Sequence, residues 1–311
     1  MGQVKWRKSK FRKIFVGILA VAMLACSLTA CGGKTGWRSK EVTVIDDSYR
    51  TWYEIFVYSF CDSDGDQVGD LQGVISKLDY IADLGFNGIW LMPIMPSPSY
   101  HKYDVKDYRE IEAEYGTMAD FEELVAECDK RGIKLIIDLV LNHTSSEHPW
   151  FVEACSYLES LEAGAEPSAE ECPYYEYYHF VKGDPSSDTW YQVGSTDYYY
   201  EGVFWSGMPD VNFESQALRK EFEEIVAFWL DKGVGGFRLD AVKEFYSGAV
   251  SKNVEVLTWL NDTVKSINPD AYMVGEAWEG LGSFAQYYAS GIDSFFDFEF
   301  AGPTGVVTKT L

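Results

Sequence analysis

Two acids stand at the ends of neighbouring apolar runs: Asp240 closes the run 234–239 and Glu276 closes 272–275, with one helix-like segment between them. Two carboxyl groups facing each other across a sugar can break its glycosidic bond. One, protonated, assists the leaving oxygen; the other, ionised, attacks the anomeric carbon or activates water. Arg238 lies two residues before Asp240 and therefore points to the same side of a strand. A guanidinium beside a carboxylate favours its charged form, the state a nucleophile needs. Glu276 is flanked by Gly275, Ala277 and Trp278 with no cation near it in sequence, a setting that raises a carboxyl pKa and suits acid duty. Standing alone, the pair also fits the blander reading of two strand-end acids in surface salt bridges.

The elements that would position these residues alternate regularly. Runs 52–58, 88–91, 134–140, 234–240, 272–276 and a stretch near 295–298 read as buried strands of a parallel sheet. Between them Ile75, Leu78 and Ile81 recur at helical spacing before Gly85, and Phe121, Leu124, Val125 and Cys128 follow the cap Thr117 and precede Gly132. Leu218, Phe222, Ile225 and Trp229, then Leu257, Leu260, Val264 and Ile267, repeat the pattern. The repeat breaks over 144–208, which carries Pro149, Pro167, Pro173 and Pro185, shows no sustained period and is far longer than an ordinary βα loop. Asp138, Asn142, His143, Arg238, Asp240 and Glu276 gather at the C-terminal ends of strands, where barrel enzymes place their chemistry. No Gly-x-Gly-x-x-Gly element follows a strand, which removes the main signature of a dinucleotide-binding sheet. The expectation is an α/β fold: a TIM (β/α)8 barrel, incomplete at about six of eight strands, built from 49–143 and 209–311, with an inserted subdomain over 144–208 after strand 3.

Composition narrows the partners. The 311 residues hold 26 Lys+Arg against 49 Asp+Glu, a net charge of −23 that speaks against nucleic acid or an anionic membrane surface. Aromatic residues make up 16%, clustered at 174–178 and 198–200, and such rings suit a large core or a sugar-binding cleft, the reading favoured here being a cleft lined partly by the insertion. Residues 1–30 hold Lys5, Arg7, Lys8, Lys10, Arg12 and Lys13 with no acid, then an apolar run over 14–25, then Leu28-Thr29-Ala30-Cys31-Gly32. That order resembles a bacterial lipoprotein signal. It implies a signal peptide over 1–30, a lipidated Cys31, a tether over 31–48, and a protein outside the cytoplasm that touches the membrane only through its anchor. Cys61, Cys128, Cys155 and Cys172 match no zinc spacing, and a Cys155–Cys172 disulfide stays open.

Several motifs in series make the chain recognisable from about residue 50 onward. Asp138-Leu139-Val140-Leu141-Asn142-His143, Gly236-Phe237-Arg238-Leu239-Asp240 and Gly275-Glu276-Ala277-Trp278 resemble the third-, fourth- and fifth-strand motifs of the α-amylase family of retaining glycoside hydrolases. Met208-Pro209-Asp210-Val211-Asn212 is similar to the short motif that closes that family's inserted domain, in the form seen in its neopullulanase-like members. The resemblance implies Asp240 as nucleophile, Glu276 as acid/base, and Arg238, His143, Tyr103 and Asp104 around the cleaved sugar, with Lys243 toward the leaving side. Asp138 and Asn142 read as structural. Ala241 after the nucleophile accompanies α-1,4 preference in the family, whereas Glu244 replaces a His common in calcium-dependent members. Hydrolysis of α-1,4 bonds in starch-like glucans and maltooligosaccharides is therefore expected; a neopullulanase-like or glycosyl-transferring activity, or cell-surface glucan binding without catalysis, are the alternatives. The family's third carboxylate follows the seventh strand, past Leu311, so the sequence reads as C-terminally truncated. Asp62, Asp64, Asp66 and Asp70, with the Val68 carbonyl, offer the hard oxygens that calcium takes, although Gln67 and Gly73 exclude an EF-hand. Because similar calcium loops follow the first strand in several oligosaccharide-active members, a structural Ca2+ is expected there.

Overall fold

The computed structural model describes residues 46–162, 164–303 and 305–310; the signal-like segment, Cys31 and the tether as far as residue 45 lie outside the described residues. Strands β1 (Trp52–Ile55), β2 (Gly88–Leu91) and β3 (Lys134–Leu139) come first. An inserted antiparallel sheet follows, made of β4 (Phe180–Lys182), β5 (Trp190–Gln192) and β6 (Tyr198–Glu201) in the order β4-β6-β5. The main sheet then resumes with β7 (Gly236–Leu239), β8 (Tyr272–Gly275) and β9 (Ser294–Phe295). Among the described residues the main sheet has six strands, ordered β1-β2-β3-β7-β8-β9 and parallel throughout, the incomplete (β/α)8 barrel expected from the sequence.

The helices start where their caps dictate. Thr117 and Asp120 form a reciprocal capping box on Met118–Asp129, and the Ser215 hydroxyl accepts from the Leu218 N–H at 3.3 Å to open Gln216–Asp231. Each helix turns its apolar stripe inward, so that Phe121, Leu124, Phe222, Trp229, Leu257 and Leu260 are fully buried against the sheet. The Trp229 indole N–H finds the Tyr108 carbonyl at 2.8 Å, which lets the largest core side chain bury its polar atom.

Three sequence expectations are corrected. The strand expected near 295–298 ends at Phe295, because the Asp297 carboxylate accepts from the Phe300 N–H at 2.9 Å and starts a helical turn, Phe298–Ala301. The insertion is regular: Pro149 sits in the first turn of the helix Pro149–Ser160, where it lacks no needed N–H, and Trp150, Phe151, Ala154 and Leu158 form that helix's buried face. Its aromatic excess is mostly its own core. Phe151 packs edge-on against Tyr178 at 5.0 Å and Tyr200 at 4.8 Å, and Trp150 against Tyr177 at 5.2 Å. Cys155 and Cys172 are both free thiols.

Strand pairing has one steric requirement close to the chemistry. Gly236 opens β7 at φ +143°, and a Cβ there would lie 1.8 Å from the Tyr272 carbonyl oxygen of β8. Gly236→Ala should therefore lower the unfolding free energy by about 3 kcal/mol, at the upper end of ordinary point substitutions. A urea titration read by circular dichroism checks this.

Candidate active site

The register of three strands assembles the site. Asp138 on β3 is paired with Arg238 on β7, and Leu239 is paired with Gly275 on β8, so the next residues, Asp240 and Glu276, emerge side by side at the strand ends. The Glu276 N–H donates to the Leu239 carbonyl at 2.9 Å, which continues the ladder to the catalytic position. Side chains two apart on a strand share a face, so Arg238 and Asp240 point together into the mouth of the barrel.

Arg238 is the centre of this arrangement. Its Nη1 donates to both oxygens of Asp138, at 3.0 and 3.1 Å, and to Asp240 Oδ1 at 2.6 Å, while Nη2 lies 2.9 Å from Glu276 Oε2. The guanidinium stacks near Trp90, Tyr103 and Phe296, with 5.0, 5.7 and 5.9 Å to the ring centroids. Burial works against its charge, but the carboxylates around it outweigh that and push its pKa above the usual arginine value. Asp138 is completely buried and also accepts from the Trp90 indole N–H at 3.3 Å and the Tyr103 hydroxyl at 3.2 Å. Asp138 therefore fixes the ring of Tyr103 as well as the arginine.

Burial raises the Glu276 pKa; Arg238 pulls it back and the neighbouring Asp240 raises it again, through a shared hydrogen bond as well as through charge. The absence of a nearby cation inferred from the sequence is thus corrected: Arg238 is distant along the chain and in contact in space, and burial supplies the upward shift. Glu276 Oε2 is taken by Arg238 and by the Ala241 N–H at 3.3 Å. Asp240 Oδ1 is taken by Arg238.

Above these groups opens a cleft of about 480 Å³. Its floor holds Arg238, Asp240 and Glu276, and its walls hold His101, Tyr103, His143, Phe204, Met208, Ala241, Lys243, Glu244 and Trp278. His143 is buried and its pKa is pushed down to about 4 by that burial, so it is neutral near pH 7. Lys243 pairs with Glu244 at 3.0 Å at the rim. Asp104 does not reach the wall: it is buried behind it and accepts hydroxyl hydrogen bonds from Ser97, at 2.7 Å, and Ser99. Among the described residues of the insertion, Phe204 and Met208 alone line the cleft. Sequence reading passed over Trp90, because a Trp inside an apolar run looks like core; its place opposite Ile136 in the register, two residues below Asp138, is what brings it under the arginine.

Away from the cleft, one oxygen each from Asp62, Asp64 and Asp70 lies within 4.8 Å of the others. Asp66 stands outside that group and accepts from the Val68 N–H at 2.8 Å, turning the loop. Asp62 accepts from the Gly65 N–H at 2.6 Å and the Gln67 N–H at 2.9 Å, and these bonds hold its pKa below the usual aspartate value.

A profile of the family described as "Alpha amylase, catalytic domain" matches residues 54–309. The chain belongs to the α-amylase family. Alpha-amylase 3 of Dictyoglomus thermophilum is 48% identical over 249 residues, which is 79% of this chain and 47% of that protein. A glucan 1,6-alpha-glucosidase of Streptococcus pneumoniae is 38% identical over 268 residues, 80% of this chain and 48% of that one. Among solved structures, Eubacterium rectale Amy13B superposes with a TM-score of 0.82 at 52% identity, covering 87% of this chain and 52% of that one. The chain spans about half the length of the curated relatives it matches.

A carboxyl with a raised pKa holds its proton more tightly in the folded chain than in the unfolded one. The stability linked to Glu276 is therefore fully present below the ordinary glutamate value of 4.5 and drains as pH rises through the raised folded value. Glu276→Gln cannot ionise, so its melting temperature should gain on that of the parent as pH is raised above the glutamate range. Paired thermal melts across pH 4 to 8, at roughly one-unit steps, measure the difference.

Proposed function

We propose that the chain carries the catalytic floor of a retaining glycosidase acting on α-1,4 bonds of starch-like glucans and maltooligosaccharides. The observation that carries this reading is one guanidinium gripping one oxygen of Asp240 and one of Glu276 at the base of an open, aromatic-walled cleft. Retention needs carboxyls roughly 5 Å apart, and the sharing of a single guanidinium by the two acids supports such closeness. In the first half-reaction Asp240 Oδ2 attacks the anomeric carbon while the Glu276 proton passes to the departing glycosidic oxygen. The bond to the leaving sugar breaks and a glycosyl ester on Asp240 forms. In the second, the Glu276 carboxylate takes a proton from water, the water oxygen attacks the same carbon, and the ester opens to return both acids to their starting states.

Ala241, which lines the cleft, supports α-1,4 preference through the family resemblance, in which Ala after the nucleophile accompanies that preference. A second reading, α-1,6 cleavage, is favoured by the names of several relatives, among them the oligo-1,6-glucosidase of Parageobacillus thermoglucosidasius, 42% identical over 202 residues. Product analysis on maltotriose against isomaltotriose separates the two. With protein expressed from its complete coding sequence, Asp240→Asn should cut turnover on maltooligosaccharides by roughly 10⁴-fold or more while leaving their binding intact. Unchanged hydrolysis would remove Asp240 from the nucleophile's place.

We also infer that Asp62, Asp64 and Asp70 hold a calcium ion and that Cys31 is lipidated, tethering the protein outside the cytoplasm. The all-oxygen donor set supports the first and the order of basic, apolar and small residues the second. The ion would brace the loop after β1, since Asp70 also caps the helix Leu71–Ser76 through the Gly73 N–H at 2.6 Å. Calcium at a hundredfold excess over its Kd should add about 2.7 kcal/mol of stability that a chelator removes. Identical melts with calcium and with chelator would sink the site.

A further inference from the structure

We propose that Asp210 is a positioning residue that acts through Asn142 to place the His143 proton on Nε2, facing the cleft, and that the same carboxylate anchors the Phe204 wall. This rests on the cleft being a sugar site only for its consequence in catalysis; the proton's position is a separate question.

His143 ends the turn after β3, and its backbone bridges that of Asp210 in antiparallel fashion, with the Val211 N–H on the Asn142 carbonyl at 2.9 Å and the Thr144 N–H on the Pro209 carbonyl at 3.2 Å. The Asp210 side chain is buried and receives two donors: Asn142 Nδ2 on Oδ1 at 2.9 Å and the Val203 N–H on Oδ2 at 2.8 Å. Burial pushes the Asp210 pKa up to about 7; above that pH, where the spectra are to be taken, the ionised carboxylate accepts only, so the bond to Asp210 fixes which end of the Asn142 amide is the nitrogen. The second hydrogen of that NH2 group faces His143 Nδ1, 3.3 Å away. A nitrogen that faces a donor must be bare, so in the neutral imidazole the proton goes to Nε2. His143 Nε2 is buried and has no partner among the described residues, and His143 lines the cleft. An N–H so placed is an unmet donor for an acceptor that enters the cleft, and a sugar hydroxyl is such an acceptor. The competing acceptor on the protein side is the Tyr103 backbone carbonyl, which also faces the ring.

The other arm of Asp210 fixes the loop that brings Phe204 over the site. The Phe204 ring meets the His143 ring edge-on at 5.1 Å, so one carboxylate sets both the hydrogen-bonding face of the histidine and the apolar surface against which it is held.

Asn at position 210 has the shape of Asp but one acceptor where two donors require two. Keeping the Val203 bond turns its NH2 toward Asn142, which must flip and present its oxygen to His143; the imidazole proton then belongs on Nδ1. Asn142→Asp presents an acceptor to Nδ1 directly. The chain has four histidines, so the His143 ring is assigned by difference against His143→Gln in protein labelled with 15N-histidine. The parent should show a proton-bearing Nε2 and a bare Nδ1, and both variants should move the proton to Nδ1. Both should also lower kcat/KM on maltooligosaccharides by about tenfold, the worth of one hydrogen bond to the sugar. A parent spectrum with the proton on Nδ1 overturns the proposal even where neither variant folds. A folded variant of either kind that keeps the parent's tautomer overturns it as well. Absence of hydrolysis in the parent would defeat the glycosidase reading and leave the spectra to decide this one.

Discussion

A buried guanidinium with three carboxylates around it is the constraint on which the rest of this structure depends. Taking Arg238 out of water is costly, and removal of one partner from such a buried set typically costs about 3 to 5 kcal/mol, because the remaining charge is left uncompensated. Asp138 offsets that cost by meeting Nη1 with both oxygens, and Trp90, Tyr103 and Phe296 enclose the planar group. Such a cluster forms only if β3, β7 and β8 pair in one register, since a slip of one residue would turn Arg238 to the other face of the sheet. The electrostatics of the site and the topology of the sheet therefore specify each other. The insertion and the loops are free to vary around them.

That arrangement also separates the duties of two chemically similar acids. Arg238 touches both, so a cation beside one and absent from the other is not what distinguishes them. Position does. Asp240 takes the shortest contact from the guanidinium, at 2.6 Å, whereas Glu276 is one strand further on and takes the 2.9 Å contact together with a backbone N–H. Burial and the facing Asp240 then favour the protonated form of Glu276. Burial is the larger of these two influences, and the contact with Asp240 ties the titration of Glu276 to the group beside it.

Much of this was legible in the sequence wherever a rule of period or local chemistry applied. The βα alternation, the cap Thr117, and the placing of Asp240 and Glu276 at adjacent strand ends follow from spacing alone. What stayed hidden depends on partners far away in the chain. Trp90 and Asp138 are neighbours only across the register, Asp104 turns away from the cleft because Ser97 and Ser99 meet it inside, and the tyrosines of the insertion bury one another instead of facing sugar. Pro149 misled for a different reason: a proline ends a helix in its interior but begins one in its first turn, and only the three-dimensional N-terminus distinguishes these cases.

The floor and the walls of the cleft answer different questions. In the proposed glycosidase reading the guanidinium and its two carboxylates meet only the reacting atoms; nothing in them distinguishes an α-1,4 from an α-1,6 bond, because the two differ in how the leaving sugar is attached, beyond those atoms. That choice must be made by groups that meet the leaving sugar. In this chain the candidates line the cleft from outside the strands: Phe204 and Met208 from the insertion, Ala241, Lys243 and Glu244 from the loop after β7, and Trp278 from the loop after β8. Loops tolerate substitution where register does not. A family whose members carry both α-1,4 and α-1,6 names can therefore share one floor, provided that its walls differ, and in this chain the walls are tied back to the floor through two short connections, Ala241 N–H to Glu276 and Asp210 to Asn142.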